Sequence, residues 1–266
     1  MNSRKLKYTK LLILLVVLLF WVPAFSQVET YEDCFSKKSN ADLKNLNKKQ
    51  KGEVVDGVFY SSGANIPAEG MTWQTSFMPL KSVPKLKPSN MSQNEWAKNT
   101  CLPNGYVVHD NREGTKWCEG VPGSGIGEVV SAYISLEDKS YFYILPGAHG
   151  LRKLFESYSR PLEIVVHYLI PSKVDTSQAG GKMFLDVSYF GKQPVKLSSE
   201  PGYQKIEIQP YKDILKEIKG KRYPLILVAI KIKSVIEGKE NKEHTCIAEI
   251  GNSEEDAFYK KATLRD

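Results

Sequence analysis

The glycine-rich stretch from Gly114 to Val130, GTKWCEGVPGSGIGEVV, has the residue types of a phosphate-binding loop. Glycines that cradle a phosphate normally lead into a helix, whose N-terminal N–H groups hold the anion. Here G-S-G-I-G leads instead into EVVSAYISL, which has the β-branched and aromatic content of a strand. The stretch therefore predicts a tight turn or a close backbone approach before a strand, and it does not favour a nucleotide site.

Nucleophilic and acid–base residues are present, but they do not form a recognisable catalytic motif. The sequence contains neither G-x-S-x-G nor H-E-x-x-H, and its histidines are scattered at His109, His149, His167 and His244. His167, within LEIVVHYLI, is expected to be an exposed or hydrogen-bonded strand residue. Glu119 and Glu128 could act as the carboxylate pair of a glycosidase, although any β protein rich in acidic residues offers such pairs. We therefore expect a protein that is not an enzyme.

The first 26 residues have the three zones of a secretory signal peptide: a basic start, an apolar run from Leu11 to Val22, and Ala24-Phe25-Ser26. An apolar run of about 12 residues is shorter than the roughly 18 needed to span a membrane, so no membrane span is expected after cleavage. Removing this segment removes four basic residues and lowers the net charge from +7 to +3. So mild a charge argues against nucleic acid as a partner. The mature protein is expected to be secreted or periplasmic.

The four cysteines are expected to form disulfides, because an exported chain enters an oxidising space. They are Cys34, Cys101, Cys118 and Cys246. Cys118 is included, although its position beside Trp117 would otherwise suggest a reactive thiol. Four cysteines allow three pairings, and their spacing alone does not choose among them. No C-x-x-C pair is present, so a zinc site is not expected.

The rest of the chain predicts one folded domain over residues 54–259, between a polar tail or linker at 27–53 and a short C-terminal tail at 260–266. Lysine and asparagine dominate residues 36–53, where a marginal helix is the alternative. Eight segments rich in β-branched or aromatic residues predict strands. They are residues 54–62, 127–136, 140–145, 162–170, 182–190, 203–209, 225–236 and 245–250.

The arrangement of these segments favours an all-β fold. Only Pro210–Gly220, PYKDILKEIKG, has the proline start, apolar face and glycine end of a helix. Parallel strands would need helical crossovers, so the pattern predicts an antiparallel β-sandwich. Residues 71–104 have little periodicity and are expected to form a long inserted loop.

The run YVVHDNREGTKWCEGVPGSGIGEVV resembles the signature of discoidin-like, galactose-binding-like domains of secreted bacterial proteins. Asp110, Thr115 and Trp117 keep the spacing of that signature, and segments at 60–67, 141–150, 159–168 and 232–250 fit the family in the same order. The similarity is greatest to the discoidin-type domain that accompanies NAD glycohydrolases as a translocation domain. The resemblance covers residues 54–259 and implies an eight-stranded jelly roll with a binding or docking role. It does not imply NAD hydrolysis, because no catalytic domain fits in the remaining residues.

The resemblance also implies a vestigial calcium loop. In related carbohydrate-binding sandwiches a structural calcium is held at positions that correspond to Asp110, Arg112, Thr115 and Glu249. Arg112 stands where the family has a second acid, and it brings a positive charge to a site that wants hard oxygen ligands. Calcium binding is therefore expected to be lost or weak, with Arg112 forming a salt bridge to Asp110 or Glu249. No other cofactor is expected.

The same resemblance bears on the disulfides, because it implies that Thr115 lies near Glu249. If the TKWC segment runs antiparallel to TCIAE in that register, Cys118 lies opposite Cys246. On this basis we prefer Cys118 with Cys246 and Cys34 with Cys101. Pairing of the sequence neighbours Cys101 and Cys118 is the alternative.

The resemblance and the absence of catalytic motifs together predict an exported, non-catalytic binding module. It would recognise a carbohydrate or cell-surface ligand through loops at one end of the sandwich. Trp73 and Trp96 are expected to stack on a sugar ring, with Arg112 or Glu119 hydrogen-bonding nearby. The alternative role for each tryptophan is to anchor its loop, and Trp117 is expected in the core. The alternative function is a protein-docking or envelope-associated domain that binds a surface protein and no sugar.

Overall fold

The computed structural model describes residues 40–55, 59–61, 73–78, 88–92, 95–96, 105–137, 139–176, 182–255 and 264–265. Its strands are β1 (Phe59–Ser61), β2 (Trp117–Cys118), β3 (Val129–Ser135), β4 (Tyr141–Pro146), β5 (Tyr158–Thr176), β6 (Lys182–Lys196), β7 (Gln204–Glu207), β8 (Leu225–Ile236) and β9 (Asn241–Gly251). Its α-helices are α1 (Arg152–Ser157) and α2 (Tyr211–Ile218), and 3₁₀ helices span Ala41–Lys48 and Gly105–His109. The predicted signal peptide, Cys34, Cys101 and most of the predicted 71–104 loop lie outside the described residues.

Hydrogen bonding arranges the strands in two antiparallel sheets. The first sheet has the order β1-β6-β5-β8-β3. The second has the order β7-β4-β9-β2. A short parallel contact between the start of β5 and β9 joins them. The predicted antiparallel β-sandwich is confirmed, with nine strands among the described residues where eight were expected.

The main core fills the space between the two sheets. Along β8, every second residue from Ile226 to Ile232 is fully buried, and these side chains share one apolar cluster with Phe142 of the second sheet. Trp117 is fully buried in the same cluster, as predicted, and its indole N–H donates to the Ser76 carbonyl at 2.8 Å. Removal of this apolar surface from water is the main stabilising contribution to such a fold.

The outer face of the first sheet is covered in part by the segment that precedes β1. Leu43 and Leu46 of the first 3₁₀ helix are fully buried in a second apolar cluster with Leu227 of β8. The prediction of a polar tail up to residue 53 does not hold for this part, where the alternative of a marginal helix is confirmed as a 3₁₀ helix that two leucines anchor to the sheet. The folded region therefore includes Asn40, whose side chain accepts the Asp42 N–H at 3.1 Å and caps the 3₁₀ helix.

The sequence predicts one of the two α-helices and not the other. The predicted helix is confirmed as α2, which buries Ile214 and Ile218. The helix α1 was not predicted, because its N-cap is Leu151 and makes no side-chain capping hydrogen bond. Its buried residue Phe155 ties it to the domain. Within the described ranges, no helix is long and apolar enough to cross a membrane.

The strand β2 pairs with β9 in the register that the resemblance implied. Trp117 lies opposite Ile247, and Cys118 lies opposite Cys246. Cys118 and Cys246 form a disulfide across a sequence separation of 128 residues. This bond confirms the preferred pairing of Cys118 with Cys246 and excludes a bond between Cys101 and Cys118. The expected pair of Cys34 with Cys101 lies outside the described residues.

The glycine-rich stretch forms a turn that leads into β3, as predicted. Gly123, Gly125 and Gly127 adopt positive φ angles of 93°, 67° and 96°, a region that other residues rarely enter. Gly120 has a different role, because a Cβ at that position would collide with the Phe77 carbonyl group. Since β3 follows directly, the stretch has no helix N-terminus at which a phosphate could bind.

The predicted C-terminal tail also contributes to the fold. The Arg265 N–H donates to the Gly150 carbonyl at 3.2 Å, and its own carbonyl accepts the Arg152 N–H at 2.8 Å. The Arg265 guanidinium pairs with the buried carboxylate of Glu113. Residue 265 is therefore attached to the domain, although its neighbourhood is polar in sequence.

Candidate functional site

Three tyrosines lie together on the outer face of the second sheet. Residues alternate between buried and half-buried at the start of β4, which places Tyr141 and Tyr143 on the side away from the core. Across the strand pair, Glu207 lies opposite Tyr141 and Lys205 lies opposite Tyr143. We call the set Tyr141, Tyr143, Tyr203, Lys205 and Glu207 the tyrosine face. It joins aromatic rings to a cation and an anion on one surface.

The rings of the tyrosine face contact one another edge to face. The centroids of Tyr141 and Tyr143 are 5.6 Å apart with an interplanar angle of 82°. The centroids of Tyr143 and Tyr203 are 6.3 Å apart with an angle of 81°. Such T-shaped contacts are a favoured arrangement for aromatic pairs. The three rings therefore form a continuous strip along the edge of the second sheet.

Lys205 and Glu207 are held in place on this strip. Lys205 Nζ lies 3.9 Å from the centroid of the Tyr141 ring, a cation–π distance. The same Nζ lies 2.6 Å from Glu207 Oε1. The hydrogen bond from Lys205 to Glu207 raises the pKa of the ammonium group. A donor and an acceptor therefore lie beside the rings.

The partner of Tyr143 on β9 is Gly251, which contributes no side chain beside the ring. Among the described residues other than its chain neighbours, only Glu249 Oε1, at 3.6 Å, lies within 4 Å of a Cβ placed at Gly251. Burial raises the pKa of the Tyr143 phenol, as do the charge of Glu254 and the contact with Tyr141. The phenol therefore stays neutral and can both donate and accept hydrogen bonds. The face can stack on a flat ligand and bind its polar groups.

The predicted vestigial calcium loop lies beside β9. The Thr115 hydroxyl donates to Asp110 Oδ1 at 2.9 Å. The backbone N–H of Arg112 lies 3.0 Å from Asp110 Oδ1 and 3.3 Å from Glu249 Oε2. The structure thus brings all four predicted positions together, as the resemblance implied. Arg112 contacts both acids through its backbone, and the predicted salt bridge of its guanidinium stays a prediction.

The electrostatics of Glu249 bear on calcium binding. Burial raises the pKa of this carboxyl well above its usual value, and the neighbouring Asp110 carboxylate raises it further. Glu249 is 2% exposed. No group of three or more acidic, histidine or cysteine side chains suited to a metal ion occurs within the described part of the chain. Lost or weak calcium binding remains our prediction for this loop.

The two tryptophans expected to stack on a sugar are not on the surface. Trp73 is fully buried in the second apolar cluster, where its ring makes edge contacts with Phe59 at 5.5 Å and Phe184 at 5.8 Å. Trp96 is 6% exposed. The prediction that these two rings are exposed is wrong. Burial of a large apolar ring removes its surface from water and stabilises the folded state. Both fit the alternative role of anchoring their loop.

Glu119 is also buried, so it does not fit its predicted role as a ligand contact. Its Oε1 accepts the Thr245 N–H at 3.2 Å, and its Oε2 accepts the Val121 N–H at 2.9 Å. The side chain packs against the backbone of Gly125, where a Cβ would collide with it. Glu119 therefore holds the glycine-rich turn against β9, and it is 0% exposed.

The hypothetical glycosidase pair is engaged in internal contacts as well. The Thr75 hydroxyl donates to Glu128 Oε2 at 2.7 Å, and Lys44 Nζ lies 3.0 Å from Glu128 Oε1. These bonds link the segment before β1 to the start of β3. His167 is a hydrogen-bonded strand residue, as predicted, with Nδ1 3.3 Å from the Tyr189 hydroxyl. Burial lowers the pKa of His167 to about 3, which is too low for a general base near neutral pH.

The pH dependence of stability should report on Glu119. Burial raises its pKa from 4.5 to about 7, although the N–H groups of Thr245 and Val121 oppose the shift. A folded-state pKa above the unfolded value gives stability that is present below pH 4.5 and lost as the pH rises through 7. Relative to Glu119→Gln, the wild type should lose up to about 3 kcal/mol of unfolding free energy over this range.

Urea unfolding of both proteins at several pH values measures this difference. Comparison with the Gln variant at each pH cancels the contributions of the buried histidines, which titrate in both proteins. Parallel curves for the two proteins would contradict the assigned burial of the Glu119 carboxyl. Glu163→Gln serves as the control, because Glu163 is exposed on β5 and its curve should parallel that of the wild type.

The sequence analysis missed the tyrosine face, although a signal was present. In the strand-forming run SYFYIL, tyrosines at positions 141 and 143 alternate with buried residues, which places them on one side of the strand. The third ring and the two charged residues come from the segment around β7, about 60 positions later in the chain. Only the pairing of β4 with β7 brings the set together.

Comparisons with known proteins add little to this description. No protein-family model matches the chain, and no curated protein matches it. Among solved structures, the chain is similar to the family 32 carbohydrate-binding module from C. perfringens NanJ, determined in complex with galactose. The two share 10% identity over 56% of this chain and 83% of that one, with a TM-score of 0.29. A likeness this weak carries no argument about the function of this chain.

Proposed function

We propose that the protein is a non-catalytic carbohydrate-binding module that binds its ligand on the tyrosine face. The observation that carries this proposal is the strip of three tyrosine rings on the outer face of the second sheet. This location replaces the loop end of the sandwich, where Trp73 and Trp96 were expected to bind the ligand. A sheet surface offers a rigid platform, which holds its groups in place before the ligand arrives.

The chemistry of the tyrosine face suits a sugar. Aromatic rings provide rigid apolar area against which the C–H surface of a pyranose ring can stack. Lys205 and Glu207 provide a donor and an acceptor for sugar hydroxyls at the edge of that area. Gly251, opposite Tyr143 on β9, adds no side chain to this part of the face. A flat, partly polar ligand is therefore the best match, and a neutral glycan has these properties.

Export is part of the same proposal. The disulfide between Cys118 and Cys246 suits an oxidising compartment, where such bonds form and persist. The three zones of the first 26 residues supply the targeting signal for that route. A secreted or periplasmic module would meet glycans of a cell surface or matrix directly.

Substitution of Tyr143 tests the proposal. The wild-type protein is expected to bind members of an array of neutral glycans, and Tyr143→Ala should weaken that binding about tenfold or more, because the central ring of the strip is lost. Tyr143→Phe keeps the ring and should retain most of the affinity. Isothermal titration with the best glycan of the array measures each variant.

Two controls distinguish the loss of a binding residue from a general effect of substitution. Tyr223→Ala removes a tyrosine that is packed near the second apolar cluster on the other sheet, and should leave glycan affinity unchanged. Circular dichroism and thermal unfolding show that each variant is folded. Failure of the wild type to bind any neutral glycan, or equal affinity of wild type and Tyr143→Ala, would refute binding at the tyrosine face. A docking domain without sugar binding would give the first of these results.

A further inference from the structure

A second surface feature lies on the outer face of the first sheet, beyond the part that the 3₁₀ helix Ala41–Lys48 covers. It is a groove of about 450 Å³ lined by Asn47, Val165, Lys192, Pro194 and Lys233. We call these residues the lysine groove. The tyrosine face belongs to the other sheet, so the apolar core lies between the two surfaces.

The groove arises from a change of residue pattern along β8. In its first half, LILVAI, both faces are buried. In its second half, Ile232 still faces the core, while Lys231 and Lys233 on either side of it lie on the outer face. Val165 of β5 lies between Lys231 of β8 and Pro194 of β6 in the sheet. The floor of the groove is therefore apolar and its two sides are basic.

The positive charge of the groove is not balanced by nearby acids. Ion pairs within the described ranges engage other lysines, such as Lys44 with Glu128 and Lys51 with Glu217. Neither Lys192 nor Lys233 has a carboxylate within 4.0 Å among the residues that the structure describes. Glu163, the acid nearest along β5, is exposed and accepts the Ser234 hydroxyl at 3.2 Å.

Neighbouring groups respond to this excess of positive charge. Burial lowers the pKa of Lys231, and the charges of Lys233 and Lys192 lower it further, although Glu128 opposes them. Lys231 and Lys192 also add to the effect of burial on His167. The Lys231 ammonium group donates to the Lys44 carbonyl at 3.3 Å, which ties this charge to the edge of the 3₁₀ helix. Like charges held this close favour an anionic ligand between them.

The positions of the two lysines suit a ligand with more than one acid group. Lys192 and Lys233 belong to β6 and β8, which flank β5 on either side. Two strand spacings separate these strands, so their backbones are about 10 Å apart. Two lysines on separate strands can pair with two acid groups of one ligand at the same time.

We propose that the lysine groove binds an anionic glycan, with a sugar ring on Val165 and Pro194 and its sulfate or carboxylate groups paired with Lys192 and Lys233. The groove volume lies in the range of small-ligand sites and accommodates a short stretch of sugar chain. The apolar floor between two basic sides matches a ring that carries acid groups at its edges. This site is independent of the tyrosine face and does not require that face to bind sugar.

Dextran sulfate and uncharged dextran test this proposal, because they share a backbone and differ in charge. The wild type should bind dextran sulfate in fluorescence titrations and should not bind dextran measurably. Lys192→Gln combined with Lys233→Gln should weaken binding about tenfold or more and reduce its dependence on salt. The matched control is Lys173→Gln combined with Lys216→Gln, which removes the same charge from lysines already paired with Asp175 and Asp213.

The outcomes distinguish binding in the groove from a general effect of the protein's net charge. Unchanged binding in the control pair, together with loss in the groove pair, supports the proposal. Equal losses in both pairs, or equal binding of dextran and dextran sulfate by the wild type, would overturn it. Equal affinity for polyglutamate would assign the groove to an acidic peptide and overturn the glycan assignment. Tyr143→Ala should leave dextran sulfate binding unchanged, so a failure at either surface is recognised separately.

Discussion

Replacing Cys118 and Cys246 together with alanine is expected to lower the free energy of unfolding by about 3–5 kcal/mol. The disulfide closes a loop of 128 residues, and a cross-link over so long a loop removes much conformational freedom from the unfolded chain. Both cysteines are also buried beside Ala148, so the variant loses packing there. Urea unfolding without reductant compares the variant with the wild type, and the change should appear in the transition midpoint.

A second comparison isolates the bond from the packing. Wild-type protein unfolded with the Cys118–Cys246 bond reduced should lose less free energy than the double-alanine variant, because its thiols still fill the space between β2 and β9. A loss below about 1 kcal/mol in the double-alanine variant would contradict a constraining role for this bond. Because β2 has only two residues, we expect the glycine-rich turn that follows it to become mobile first when the disulfide is lost.

Trp73→Ala is expected to cost about 3–5 kcal/mol of unfolding free energy, which would identify Trp73 as a core residue. The ring is fully buried and packs against Phe59, Phe184 and Tyr133 with centroid distances from 5.5 to 6.4 Å. Its removal would leave a large cavity between the first sheet and the segment that covers it. Thermal and urea unfolding measure the loss.

The conservative change Trp73→Phe separates stability from ligand binding. It should cost less than the alanine variant, because much of the ring contact survives, and it should leave binding at the tyrosine face unchanged. A ligand-binding tryptophan would behave in the opposite way, with a small effect on unfolding and a large effect on affinity. That result would restore the role that the sequence suggested for Trp73.

The sequence predicted the sandwich because its strands follow simple patterns. The run LILVAIKIKSVI at Leu225–Ile236 was predicted with the bounds that the structure has. The helix α2 begins after Pro210 and has its apolar residues on one side, which the sequence shows directly. The pairing of Cys118 with Cys246 followed from the resemblance, since spacing alone left three connectivities open.

Other elements depend on distant contacts that no local pattern reveals. Residues 41–48 look polar, and Leu43 and Leu46 pack them against a sheet surface formed much later in the chain. The helix α1 has no capping residue to mark its start. The strand β2 is two residues long and is defined by its partner β9. In each case the tertiary partner decides the structure.

The candidate site also depends partly on local sequence pattern and partly on distant contacts. Residue type suggested tryptophan for stacking and Glu119 for hydrogen bonds, but residue type does not determine exposure, and Trp73, Trp96 and Glu119 are all buried. Tyr141 and Tyr143 could have been placed on the surface from strand alternation alone. Their association with Lys205 required the pairing of β4 with β7.

The covering of the first sheet by the segment around Ala41–Lys48 has a consequence for how the chain folds. Lys44 and its hydrogen-bonding partner Lys231 are 187 residues apart, so the first is synthesised and translocated long before the second. The early segment must therefore wait until β8 has emerged and paired with β5 before it finds its place. Such long-range closure is slow compared with local folding. We expect this segment to dock last, and the apolar outer face of β8 to be exposed until it does.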